Sequence, residues 1–201
     1  MRAATISAMK KLERSFYERD ACAVANELIG KILVHDSCEG RTSGIIIEAE
    51  AYRGPEDKAA HSYGGRRTAR TEIMFHGGGL AYVYLIYGMH CCFNVTASVV
   101  GKPEAVLIRA LEPLEGLDIM MARRGTSRGK SLCNGPGKLC QAMGITREHY
   151  GADLCGNKIY IAEGGYDFPV ETSKRINIDY AEEYRDRLWR YLRASAKVMP
   201  S

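Results

Sequence analysis

The chain has 201 residues, 46% hydrophobic and 26% charged, and carries a formal net charge of +4 at pH 7. That length suits one domain able to bury roughly 70% of its extended surface, so no disulfide or metal staple is needed. The composition excludes a disordered chain, no run of about 18 apolar residues is present to span a membrane, and the mildly basic balance permits a polyanionic partner without requiring one.

The opening stretch MRAATISAMKK lacks the apolar centre of a secretory signal. Seven cysteines are an odd number and none are spaced C-x-x-C. They read as reduced thiols of an intracellular protein, in cytoplasm, nucleoid or nucleus. With no repeat or linker, residues 1–201 form one expected domain, with 1–14 either loosely ordered or a short helix.

In chain order, ERDACAVANELIG reads as a helix, with Asp20 as N-cap, apolar positions at helical spacing through Leu28, and Gly30 as the stop. KILVHD and GIIIEAEAYRG are strands, the second ending near Tyr52. Residues 53–72 are a polar loop rich in Gly, Arg and Thr. Residues 80–100 hold two apolar runs joined at Tyr87-Gly88-Met89, a hairpin. EAVLIRALEP is a strand, GLDIMMARRG and GPGKLCQAMGI are helices, NKIYIAEGG is a strand, and residues 176–195 form a mixed tail. The expected fold class is α+β: a single domain with a mixed or antiparallel curved sheet, surrounding helices and a protruding β-hairpin.

Three stretches carry candidate chemistry. In the second strand, a period of two places Ile46, Glu48, Glu50 and Tyr52 on one face and the core residues Ile45, Ile47 and Ala49 on the other. Any one strand glutamate sits comfortably on a solvated face. Glu50 differs in lying at the strand end against a Gly-Pro-rich loop, where active sites assemble. The loop itself places His61 among Lys58, Arg66, Arg67 and Arg70, a set suited to phosphate oxygens or simply to solvent.

The hairpin is sharper. Tyr82 and Tyr84 share a strand face, whereas Tyr87 at the tip has no sheet to cover it and suits a wedge between stacked bases. Tyr84 and Tyr52, read as lying on neighbouring strands, would form a slot for a flat ring, with Asn94 reading its edge. HGGG at His76–Gly79 lacks a G-x-S-x-G elbow, the deaminase zinc signature is absent, and His and Cys lack metal spacing, so no metal or cofactor is expected. Lys138 in GPGKLCQAMGI could face a phosphate at a helix N-terminus.

Taken together, EAEAYRGPEDKAAHSYGGRRTART, MFHGGGLAYVYLIYGMHCCFNV, VLIRALEPLEG and NGPGKLCQAMGI closely resemble the alkyladenine (3-methyladenine) DNA glycosylase family, from about Phe16 to Ile145 and more weakly in the tail. The resemblance implies a monofunctional, monomeric enzyme that flips a damaged purine from duplex DNA and hydrolyses its glycosidic bond. It assigns Glu50 as the base for the attacking water, Arg109 as its partner, and Tyr52, His61, Tyr84 and Asn94 as the base pocket. Tyr87 becomes the intercalating residue, Arg66, Thr68 and Met74 lie near the DNA, and the Ile178 carbonyl lies at the water.

The tail departs from the family pattern, with Asn177 where glycine is typical, Leu188-Trp189 in place of Pro-Trp, and RASAKVMPS at the end. His90 stands where relatives are often aromatic, and no long N-terminal extension is present. A lesion-binding protein without catalysis is the alternative; a hydrolase of free nucleosides would leave the hairpin wedge without a task.

Overall fold

The computed structural model describes residues 9–127 and 129–194. Among the described residues, eight strands carry the architecture: β1 (Ile32–Ser37), β2 (Gly40–Tyr52), β3 (Ala81–Ile86), β4 (His90–Ala97), β5 (Glu104–Glu115), β6 (Ile159–Ala162), β7 (Val170–Ser173) and β8 (Arg190–Arg193). They pair in the order β3-β4-β5-β2-β1-β6, and β8 joins β2 beyond the end of β1 with β7 outside it. Every pairing is antiparallel. The 13-residue β2 is long enough to hold β1 and β8 in succession on one edge and β5 on the other. Helices and sheet make one α+β domain, and no helix among the described residues is long and apolar enough to cross a membrane.

The helices cover one face of the sheet. In α2 (Ala21–Leu28) the Asp20 carboxylate accepts from the Cys22 amide at 2.8 Å, and Ala21, Val24, Ala25 and Leu28 are buried at helical spacing. α4 (Pro136–Met143) starts with proline in its first turn, stops at Gly144 with φ +70°, and buries Leu139, Cys140, Ala142 and Met143. α3 (Leu117–Arg124) buries Met120. These side chains meet Val83, Phe93, Val95, Val106 and Ile108 of the sheet in one core cluster. In the N-terminal segment Leu12 is buried, Lys11 bridges Ala162 of β6, and only the four-residue α1 (Arg14–Tyr17) is helical. Residues 1–8 lie outside the described residues.

One sequence reading of β2 is corrected. Ile46 belongs to the core cluster with Ala49 and Ala51, not with Glu48 and Glu50, and Ile45 packs in a smaller cluster with Ile32 and Tyr160. The cause is a double irregularity in the β2–β5 ladder. Ile46 pairs with Leu111, Glu48 with Ala110, and Ala49 with Ile108. Ile47 on β2 and Arg109 on β5 are therefore each an extra, unpaired residue. Such bulges bend a strand and re-aim a side chain; here they reset the face parity just before Glu50 and turn Arg109 toward the carboxylates.

The tail returns to this strand and is clamped there. The Ala51 amide donates to the Trp189 carbonyl at 2.8 Å. Arg175 and Asp57, both with fully buried side chains, join the tail to the loop after β2: the guanidinium donates from both terminal nitrogens to the two carboxylate oxygens, Nη2 at 2.8 Å, and also to the Ala51 carbonyl at 3.0 Å. Removing one partner of a buried pair strands the other charge in a low dielectric. Asp57→Ala is therefore expected to lower the unfolding free energy by about 3–5 kcal/mol, measured by urea denaturation; a loss below about 1 kcal/mol would mean that the clamp is not structural.

Candidate active site

The sheet face opposite the core presents Glu50, Tyr52, Tyr82, Tyr84, Asn94 and Arg109, and the loop after β2 folds over it. Between them lies a cavity of about 490 Å³ lined by Tyr52, His61, Tyr84, Asn94, Arg109 and Ile178, among others. That volume suits a small flat organic group.

Glu50 is 0% exposed, just behind the wall of the cavity. Its Oε2 accepts from the Tyr52 hydroxyl at 2.8 Å and from Arg109 Nη1 at 3.2 Å, and its Oε1 accepts from the Ile176 amide at 2.8 Å. Burial pushes the carboxyl above its ordinary range, and Arg109, the Ile176 amide and Tyr52 pull it back. The result is a carboxylate with several donors and a heightened affinity for a proton. Arg109 also donates from Nε to Glu48 at 2.8 Å.

The aromatic wall is built from the hairpin and loop. The rings of Tyr82 and Tyr84 are 5.3 Å apart, and His61 meets Tyr84 edge-on at 4.8 Å. Burial, with Arg70 and Arg66 nearby, lowers the His61 pKa to about 4, so the imidazole is neutral at pH 7. Its Nδ1 lies 2.8 Å from the Tyr82 hydroxyl, and Arg70 Nη2 donates to Nε2 at 3.0 Å. Arg70 Nη2 also lies 3.3 Å from Nδ1, so the guanidinium sits against both ring nitrogens. The Arg175 guanidinium stacks 4.8 Å behind the Tyr52 ring and 5.0 Å from Trp189, fixing Tyr52 from the rear.

At the hairpin tip Tyr87 is 79% exposed and Met89 74%. Tyr87 and Gly88 have φ of +52° and +70°, the pattern of a type I′ turn, which throws both residues away from the sheet.

This chain matches the family model for methylpurine-DNA glycosylase (MPG) over residues 15–197. The chain belongs to the methylpurine-DNA glycosylase family. Among relatives, a protein of Desulfitobacterium hafniense (strain Y51) is 51% identical over 192 residues, covering 91% of this chain and 95% of its own length. One from Clostridium acetobutylicum is 53% identical over 190 residues, with 90% and 93% covered. One from Bacillus cytotoxicus is 53% identical over 188 residues, with 88% and 92% covered. All three carry the name "Putative 3-methyladenine DNA glycosylase".

For this member of the methylpurine-DNA glycosylase family, the residues singled out in the sequence fall into three groups. Glu50, Arg109, Tyr52, His61, Tyr84 and Asn94 converge at the cavity, with Asn94 Nδ2 donating to the Tyr82 carbonyl at 3.0 Å. Tyr87 sits at its mouth. Arg66, Thr68 and Lys138 are exposed around it, although the Thr68 hydroxyl engages Thr71 and Lys138 donates to Asn134.

One expectation is corrected. Tyr52 and Tyr84 are not on neighbouring strands: β4 and β5 stand between β3 and β2, and the curl of the sheet brings both rings to one cavity. Met74, expected near the DNA, is 3% exposed, packs against Tyr82 and Ala105 and lines the cavity. The Ile178 carbonyl, expected at the water site, accepts the Ala181 amide at 2.9 Å in a tight turn, and Ile178 lines the cavity; Ile176, two residues earlier, is the backbone group that reaches Glu50.

The tail departure at Asn177 also finds its reason. Its φ is +58°, a left-handed conformation that asparagine tolerates better than most residues with a side chain. Sequence reading missed the Ile176 amide, the contact of Arg70 with His61, and Met89. Only Met89 had a local signal, as an apolar residue in a hairpin turn.

Because His61 refuses a proton that the unfolded chain accepts near pH 6.5, its contribution to stability is present above about pH 6.5 and is lost as pH falls toward about 4. His35 and His149 are shifted in the same direction by burial. In His61→Gln the thermal midpoint should therefore fall less steeply between pH 6.5 and 4 than in the parent, without becoming flat; an unchanged slope would contradict the burial of a neutral His61.

Proposed function

We propose that this chain is a monofunctional DNA glycosylase that acts as a monomer, without a cofactor, on duplex DNA. It flips an alkylated or deaminated purine of the 3-methyladenine, 7-methylguanine, hypoxanthine or ethenoadenine class into the cavity and hydrolyses its N-glycosidic bond. The observation that carries this reading is Glu50, a buried carboxylate with a raised pKa beside a cavity of purine size with aromatic walls.

In this reading a water adds to the sugar C1′ carbon as the bond to the base breaks. The bonding electrons leave with the base, and the proton of the water passes to Glu50. The same carboxylate opposes the positive charge that develops on the sugar. Arg109 and the Ile176 amide hold Glu50 in place. The described residues lining the cavity include no lysine, which favours water over an amine as nucleophile.

Tyr52, backed by Arg175, stacks on the extruded base opposite Tyr84 and His61, and the Asn94 amide reads its edge. Extrusion costs a few kcal/mol of unstacking, least for a weakly paired lesion. Tyr87 offsets part of that by filling the vacated stack, with Met89 beside it. Arg66, Thr68 and Lys138 meet the backbone.

The test is alkali-revealed abasic-site formation in lesion duplexes under single-turnover conditions. Glu50→Gln should slow base release by about 10²-fold or more with lesion binding retained; a fully active variant would overturn the assignment. The rate should fall as pH drops through a value above about 4.3, that of an ordinary glutamate. Tyr87→Ser should weaken lesion binding by about 10-fold and binding to undamaged duplex by less, read by fluorescence anisotropy.

A further inference from the structure

Arginine and carboxylate usually meet through two parallel hydrogen bonds. Arg109 does not meet Glu50 that way. Its Nε donates to Glu48 Oε1 at 2.8 Å, and only Nη1 reaches Glu50, at 3.2 Å. Glu48 lies two residues upstream of Glu50 on the same strand and is anchored from the other side, where Arg190 Nε donates to the same Oε1 at 2.7 Å. Arg190 in turn sits directly across the β2–β8 ladder from Glu50. Neither Glu48 nor Arg190 lines the cavity.

A carboxylate offers about four lone-pair positions. On Glu50, Tyr52, Arg109 and the Ile176 amide occupy three. A bidentate Arg109 would take the fourth and leave none for a water.

We propose that Glu48 and Arg190 are positioning residues for the reaction, dividing the Arg109 guanidinium between two carboxylates so that Glu50 keeps one acceptor position for the attacking water. The inference rests on the glycosylase reading of the site. The charge balance agrees with it. The charged and titratable groups around Glu50 are Glu48 and Tyr52 on its own strand, Arg109 from β5, Arg190 from β8, and the mutually neutralised Arg175–Asp57 pair. Glu48 and Glu50 balance Arg109 and Arg190. Deleting Glu48 leaves an excess positive charge, which draws Arg109 fully onto Glu50 and makes it a weaker base. Deleting Arg190 leaves an excess negative charge and makes Glu50 a stronger one.

The two deletions thus shift the pH profile in opposite directions, which a merely structural role would not do. The experiment is single-turnover base release from a hypoxanthine-containing duplex, with enzyme in excess, across pH 4.5–9. It compares the parent, Glu48→Gln, Glu48→Asp and Arg190→Gln, with thermal midpoints and duplex affinity measured in parallel. In Glu48→Gln the plateau rate should fall about 10- to 100-fold with affinity nearly unchanged. Its acid limb should move down by about one pH unit. In Arg190→Gln the limb should move up, and in Glu48→Asp, which keeps the charge, it should stay at the parent position.

Folded variants with the parent limb, or with an equal rate loss at every pH, would overturn the proposal. Should Glu48→Gln not fold, the upward shift in Arg190→Gln decides alone. A parent protein that releases no base, or a Glu50→Gln variant as active as the parent, would instead sink the glycosylase reading itself.

Discussion

The structure turns on one costly placement: a glutamate with no exposed surface at the wall of an open cavity. An ionised carboxylate withdrawn from water must be repaid by hydrogen bonds and charge, or it takes a proton. For Glu50 the donors come from three parts of the chain. Tyr52 is two residues away, Arg109 is 59 residues on, and Ile176 is 126 residues on. The bulge that exposes Arg109 to the carboxylates, the return of the tail along β2, and the buried Arg175–Asp57 clamp that holds that tail all serve this one group.

The sheet divides its two faces between stability and chemistry. One face is closed by α2 and α4 in an apolar core in which Phe93, Val95, Val106 and Ile108 alternate with the residues of the site. The other carries tyrosines, asparagine and charge, under a loop tied down by Asp57 and His61. The neutral His61 matters here, because a second cation would repel Arg70 beside it. Rigid strands thus position the polar groups, while the hairpin tip, free of the sheet, offers Tyr87 and Met89 to whatever approaches.

Much of the site was legible because its signals are local. Asp20 and Gly30 bracket α2 by capping chemistry, Tyr87-Gly88 marks the turn, and Glu50 stands where an apolar strand meets a glycine-rich loop. The long motifs shared with known glycosylases supplied the substrate class, which periodicity alone does not contain. What failed were inferences that assumed regularity. A strict alternation mis-sorted Ile46, because nothing in IIIEAEAY announces a bulge.

The chain's own sequence determined the elements, the exposed aromatic tip and which carboxylate stands at the end of β2 beside the loop, since each depends on residues within a few positions of one another. Only the tertiary structure decided that Glu50 would be buried yet donated to, that Arg109 would be shared between Glu48 and Glu50, and that Arg175 would back Tyr52. Those facts depend on groups brought together across the β2–β5 and β2–β8 ladders, where the register, set by bulges and by packing of the core, fixes which side chains meet.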